Sequence, residues 1–333
     1  MKNIIIFLFV LTIFSSCEKI IFEPDQGSRD PLTNFDYLWN EVDKKYSYFE
    51  LKNIDWDALR DQYRPMLSSN SSEEELFDVL SAMLNELRDD HTNLMTPFNI
   101  SRYNLALQSP VNFRQRTIEE FYLTNIWYTG AFIHDFLDNN EIGYIHYGSF
   151  MNDFSDEQMD FVLNRYKNTK GLILDMRQNG GGDAFIIPKI LARFTETKTL
   201  AGYFITRNGP KRNDFSERED FYVTPHSGLR YTKPVIVLID RGSYSATTFF
   251  ALACKALPNI TLMGDTTGGG GGLPNGGQMP NGWSYSFSIG QLLDLNGNSF
   301  AEDGVPADIE VAFDWSDLTK DEILERAILE LQN

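Results

Sequence analysis

The chain has 333 residues, 42% of them hydrophobic and 14% aromatic, with 47 acidic against 29 basic side chains and a net charge of −18. That composition excludes wholesale disorder, and the absence of any Lys/Arg run excludes a phosphate-neutralising surface, so no nucleic-acid partner is expected. Two Cys and four His, with no paired metal spacing, argue against a structural zinc site, and no metal is expected. The length exceeds one ordinary domain, so two units are expected.

The first residues, MKNIIIFLFVLTIFSSC, place one Lys before an apolar run from Ile4 to Phe14, then two small residues, then Cys17. This is the layout of a secretory signal, and the run is too short to span a membrane. Ser15-Ser16-Cys17 resembles a bacterial lipobox, with Phe14 where Leu is usual. The expectation is therefore a signal peptide over 1–16, a lipid attached to Cys17, and a tether over 17–32. It implies a membrane contact through that lipid, in the cell envelope, at the outer membrane or the periplasmic face. Ordinary cleavage with Cys17 incidental is the alternative. With Cys17 acylated, Cys254 would have no disulfide partner.

From 33 to 95 the pattern predicts a small helical domain. Phe35, Leu38, Trp39 and Val42 fall on one helical face. Asp55 or Asn53 would cap a second helix bearing Trp56, Leu59 and Tyr63, and Ser71 or Ser72 with Glu74 and Glu75 would open a third. Residues 96–140 read as a connecting segment with short β-type runs, FYLTNIWY and AFIHDF. From 141 to 333, apolar β-branched strands alternate with helices: strands at 142–147, 171–176, 234–240 and 260–265, and helices at 156–167, 184–194 and after Ser245. A closing helix is expected at 321–331, and antiparallel additions at 284–289 and 291–295. The fold class is thus α/β, with a mostly parallel sheet covered on both faces.

Two loops follow buried strands and open helices, the position at which such sheets build their sites. One is Asn179-Gly180-Gly181-Gly182; the other is Gly242-Ser243-Tyr244-Ser245-Ala246. A serine at Ser245 would expose its hydroxyl at the sheet edge, with the Ala246 amide beside it at the helix start. A glycine amide from the opposite loop could complete an oxyanion hole. The plainer alternative is that Ser245 only caps its helix. The glycine run Gly268–Gly272 lacks the Lys of a phosphate loop and fits a dinucleotide fingerprint only by being all glycine. Among the histidines, His134 and His146 lie in apolar strand-like runs and His226 in a polar loop. His91 ends a helix in LRDDHTNL, 154 residues before Ser245, and spacing alone does not join the two.

Over nearly its whole length after residue 35, the chain resembles the tail-specific (C-terminal-processing)/tricorn-core serine peptidases. The segments that carry this are FDYLWNEVDKKYSYFE with IDWDAL, LRDDHTNL, GLILDMRQNGGGD, KPVIVLIDRGSYSATTFFALACKAL with GDTTGGGG, and EDGVPADIEV with DEILERAILEL. The resemblance implies a ClpP/crotonase-like βαβ sheet domain behind the helical domain. It places the nucleophile on Ser245 and the oxyanion donors on the amides of Ala246 and Gly181. One branch of the family uses a lysine 25 residues after the serine; here that place is Gly270. The chain therefore looks like the tricorn-core branch, whose base falls on His91 and whose acidic residue falls on Glu302, with Asp303 as runner-up. That branch also has a serine just before the histidine, where this chain has Asp90. Dyad-type relatives carry a PDZ domain, but the stretch from His91 to Ile142 is only about 50 residues, short of an ordinary domain, so a PDZ domain is expected to be absent.

The function implied is hydrolysis of a peptide or protein substrate with no cofactor. With an unperturbed histidine as base, activity would fall on the acid side near neutrality, higher still if Asp89, Asp90 or Glu302 raises the imidazole. A catalytically weak peptide-binding lipoprotein on the same scaffold is the alternative should His91 lie far from Ser245. A crotonase-type acyl-CoA enzyme shares the architecture but not the secretion signal.

Overall fold

The computed structural model describes residues 27–103, 110–299 and 302–333; Cys17, the signal peptide and most of the tether lie outside them. Three amphipathic helices come first: α1 (Pro31–Lys45), α2 (Trp56–Tyr63) and α3 (Glu73–Asn85). Asp30 caps α1 with Pro31 at its first turn, Asp55 caps α2, and Ser72 with Glu75 forms a reciprocal capping box on α3. Trp39 and Trp56 stack, and each indole donates to the other residue's carbonyl at 3.1 Å.

Among the described residues the main sheet has seven strands, in the order β14 (Ile309–Glu310), β10 (Ile260–Gly264), β9 (Val235–Ile239), β6 (Gly171–Asp175), β5 (Ile142–His146), β4 (Phe132–Leu137) and β3 (Trp127–Thr129). Its centre, β5, β6, β9, β10 and β14, is parallel. Strands β3 and β4, from the 96–140 segment, extend it antiparallel. The apolar runs of the parallel strands follow from covering on both faces. Leu172, Leu174, Val235, Val237 and Leu262 point to a core shared with α5 (Asp156–Tyr166), α6 (Ile186–Leu191) and α7 (Ala246–Cys254). Their neighbours Tyr144, Ile173, Ile236, Leu238 and Met263 point to the other face, covered by Ile323, Leu324 and Ala327 of α8 (Glu322–Gln332).

Among the described residues there are two smaller antiparallel sheets. One is ordered β11 (Pro274–Gln278), β12 (Ser284–Ser288), β1 (Asn93–Met95), β2 (Ile100–Arg102); the other is β13 (Gly290–Leu293), β7 (Thr199–Thr206), β8 (Glu219–Val223). The first matters most for the site. It pairs β1, just after His91, with β12, and β12 in turn contributes Tyr285 and Phe287 to the apolar cluster of α1–α3. The expected additions near 284–289 and 291–295 are β12 and β13. The β7–β8 pair was not anticipated. Helix α4 (Gln115–Phe121) also differs from expectation, since its last residue opens the run read as β-type.

Candidate active site

Three loops and one strand start converge on Ser245. The residue stands immediately before α7 with φ 57° and ψ −117°, a backbone region that non-glycine residues occupy only under constraint. Its side chain makes no capping bond to α7, which removes the plain helix-cap alternative. The backbone is pinned instead: Ser245 N–H donates to the Gly269 carbonyl at 3.0 Å, and the Thr248 hydroxyl donates to the same carbonyl at 2.6 Å. The two loops are stitched together at Asn179, whose carbonyl accepts from Tyr244 N–H and the Thr247 hydroxyl.

His91 reaches the same point from the helical side. Its Nε2 lies 3.0 Å from Ser245 Oγ. Both ends of its peptide are fixed, because His91 N–H donates to Asp89 Oδ1 at 2.8 Å and its carbonyl accepts from the Ser286 hydroxyl at 2.8 Å. The Tyr244 ring packs on the imidazole with centroids 5.2 Å apart. Burial pushes the imidazole below its ordinary value of 6.5; Asp89 and then Asp90 pull it up, and Lys52 opposes them. Burial wins, so the imidazole stays neutral to a lower pH than an unperturbed histidine.

Gly181 lies against Ser245. At φ 94°, a Cβ there would stand 2.9 Å from both Ala246 N and Ser245 Cβ. Its own N–H, however, donates to Asn179 Oδ1 at 3.0 Å. That amide can serve an oxyanion only by sharing its hydrogen or turning from Asn179. Ala246 N–H heads α7, where the first amides lack intrahelical carbonyls and the dipole favours negative charge.

Glu302 is buried while Asp303 is exposed. Glu302 is not bonded to His91. Its Oε1 accepts from Lys52 Nζ at 2.6 Å, and its Oε2 and His91 Nδ1 are both buried with no hydrogen-bond partner among the described residues. Burial, with Asp89 adding, pushes Glu302 up to about 8 despite Lys52. Gly270, at φ 72°, shows why no side chain stands there: a Cβ would come within 2.4 Å of the Tyr244 ring. Ser243 is spent structurally, its hydroxyl donating to the Met176 carbonyl at 2.9 Å. His134 is buried between Thr129 and Tyr166, and His146 stacks on Phe113.

An apolar pocket of about 130 Å³ opens beside Ser245, lined by Ala184, Phe204, Phe249, Leu273 and Leu292 with the Gly270–Gly272 backbone. Among the described residues no group of His, Cys, Asp and Glu is gathered as metal ligands would be. Sequence reasoning missed Lys52 and Tyr244. Tyr244 stood in the quoted loop, but nothing in the pattern assigned it a place over Gly270. Lys52 lies in no motif, and its partner is 250 residues away.

Comparison with known proteins supplies the family. The sequence model of peptidase family S41 matches residues 141–311, and that of the tricorn protease C1 domain matches residues 28–85. A crystal structure of a "putative peptidase" from Parabacteroides merdae superposes with a TM-score of 0.88 at 38% identity, covering 92% of this chain and 98% of that one. Mature CPAF, at 12% identity, shares the fold with a TM-score of 0.67 over 91% of this chain and 96% of its own. The carboxy-terminal processing protease CtpB of Bacillus subtilis is 29% identical over 147 residues, which are 44% of this chain and 28% of CtpB. Against such curated relatives the chain therefore covers well under two thirds of their length.

Proposed function

This chain belongs to peptidase family S41 and is a serine-type peptidase, and from that premise we propose that Ser245 is its nucleophile and His91 its general base, cleaving peptide or protein substrates in the bacterial cell envelope. The observation that carries this reading is the 3.0 Å approach of His91 Nε2 to Ser245 Oγ across 154 residues of chain.

In the proposed reaction Ser245 Oγ attacks the scissile carbonyl carbon while its proton passes to His91 Nε2. The carbonyl oxygen becomes an oxyanion facing Ala246 N–H, with Gly181 N–H a second donor shared with Asn179. Collapse expels the amine, which takes the proton back from His91. Water, deprotonated by the same imidazole, then attacks the acyl carbon, and as the bond to Ser245 Oγ breaks His91 returns the proton to that oxygen. Glu302 acts from behind the histidine rather than by direct contact. The apolar cavity takes the side chain preceding the scissile bond, so an uncharged apolar residue is preferred there. The envelope setting rests on the lipobox-like Cys17 and on the bacterial processing proteases among the relatives.

The test is hydrolysis of a fluorogenic peptide with an apolar residue before the scissile bond, followed against pH. A neutral imidazole accepts the proton and a protonated one does not. With its value lowered by burial, kcat/KM should hold through neutrality and fall only at a pH below 6.5. Ser245→Ala and His91→Ala should each lose about 10⁴-fold or more, and the double variant little further. Activity in His91→Ala with an unchanged acid limb would refute the assignment.

A further inference from the structure

Lys52 lies in the turn after α1, outside every motif that points to the site. Its ammonium nevertheless ends in the buried space behind His91. It donates to Glu302 Oε1 at 2.6 Å, to the Arg88 carbonyl at 2.7 Å and to the Leu87 carbonyl at 3.2 Å. Both side chains of the ion pair are nearly sealed from solvent, at 8% and 4% exposure. Three segments far apart in sequence therefore meet on one nitrogen: the turn after α1, the chain entering the His91 loop, and the Glu302 loop. The Lys52 carbonyl also accepts from the Arg88 guanidinium at 2.6 Å, closing the clamp from the other side.

We propose that Lys52 is a positioning residue for the His91–Ser245 pair, holding Glu302 and the backbone before His91 in place and supplying the cation that balances the carboxylates around the imidazole. This rests on the assignment of His91 as base. Asp89 and Asp90 act on His91 from its own loop, and Glu302 sits buried against Lys52 from the C-terminal side. The hydroxyls of Tyr48 and Tyr244 complete the wall, and burial keeps both neutral. Carboxylates alone would favour imidazolium, which cannot accept the serine proton. Burial opposes them first, and Lys52 adds to it as the cation facing the imidazole from this side. A buried ammonium held by two backbone carbonyls and a carboxyl group has little freedom to move, so its charge is a fixed part of the site.

Lys52→Met removes the charge and keeps most of the side-chain volume. The expected result is a drop in kcat/KM of about tenfold or more at pH 7 with KM within about twofold. The acid limb should move up, because His91 then faces Asp89 and Asp90 without an opposing cation. Lys52→Arg should restore the limb and most of the rate. Should Lys52→Met fold poorly, the pair Lys52→Met/Glu302→Gln leaves no carboxyl unpartnered and should show the same upward limb. A merely structural lysine would lower the melting temperature and leave the limb where it is, and that outcome overturns the proposal. Ser245→Ala and His91→Ala run alongside separate the two claims. If both are inactive while the Lys52 variants keep the wild-type limb and rate, only the Lys52 inference falls. If either is active, the assignment of the pair falls and the inference falls with it.

Discussion

Replacing Ser245 by alanine and by glycine separates its chemistry from its backbone. At φ 57° and ψ −117°, a residue with a Cβ stores about 1–3 kcal/mol of conformational strain. Alanine keeps that strain and deletes only the hydroxyl, which makes no cap, so Ser245→Ala should cost about 0.5–1.5 kcal/mol through the lost His91 hydrogen bond. Glycine deletes the hydroxyl too but relieves the strain, offset by about 0.4–1 kcal/mol of extra freedom in the unfolded chain. Ser245→Gly should therefore be the more stable of the two variants by about 1 kcal/mol, a rise of roughly 1–4 °C in melting temperature for a protein of this size. Both should be inactive. Thermal unfolding followed by circular dichroism reads the difference, with hydrolysis measured on the same preparations. A glycine variant that melts below the alanine variant would refute the claim that the backbone at Ser245 is held under strain.

Gly270→Ala places a Cβ within 2.4 Å of the Tyr244 ring at a positive φ; it should destabilise by about 1–3 kcal/mol and lower kcat/KM by displacing Tyr244 from His91, and a variant equal to wild type in melting temperature and rate would contradict this. Ala184→Leu narrows the apolar cavity and should shift preference from large to small apolar side chains before the scissile bond, read as the ratio of kcat/KM for Phe- and Ala-containing peptides; an unchanged ratio would move that subsite elsewhere. Cys17→Ser should abolish incorporation of labelled fatty acid in the bacterial host, and retained label would place the anchor on another residue.

The parallel core was legible because its strands are buried on both faces and so read as unbroken apolar runs, as in PVIVLID and GLILDM. The three helices were legible for a different local reason, the coincidence of apolar spacing with capping residues at Asp55 and Ser72. The β7–β8 pair escaped because its strands are mostly half-exposed or exposed and mix polar with apolar residues. Helix α4 escaped because it is only seven residues long, has no side-chain cap and buries just Thr117 and Ile118, too little to mark an apolar face. At the site, the two loops announced themselves by following buried strands, but their junction with His91 did not. That contact depends on β1 pairing with β12, a register between segments nearly 200 residues apart, and only the family resemblance linked the two residues beforehand. The Lys52–Glu302 pair was out of reach for the same reason: its partners meet only once the helices, the His91 loop and the Glu302 loop have packed.

The central claim is that Ser245 is the nucleophile and that His91 activates it. Its most direct test is the rate of covalent labelling by a fluorophosphonate, with the modified residue mapped by mass spectrometry and the rate followed against pH. The account predicts label on Ser245 alone, a rate that falls below pH 6.5 in the wild type, and labelling slowed by orders of magnitude in His91→Ala. Label on Ser243 or another residue, or a His91→Ala rate equal to wild type, would contradict it.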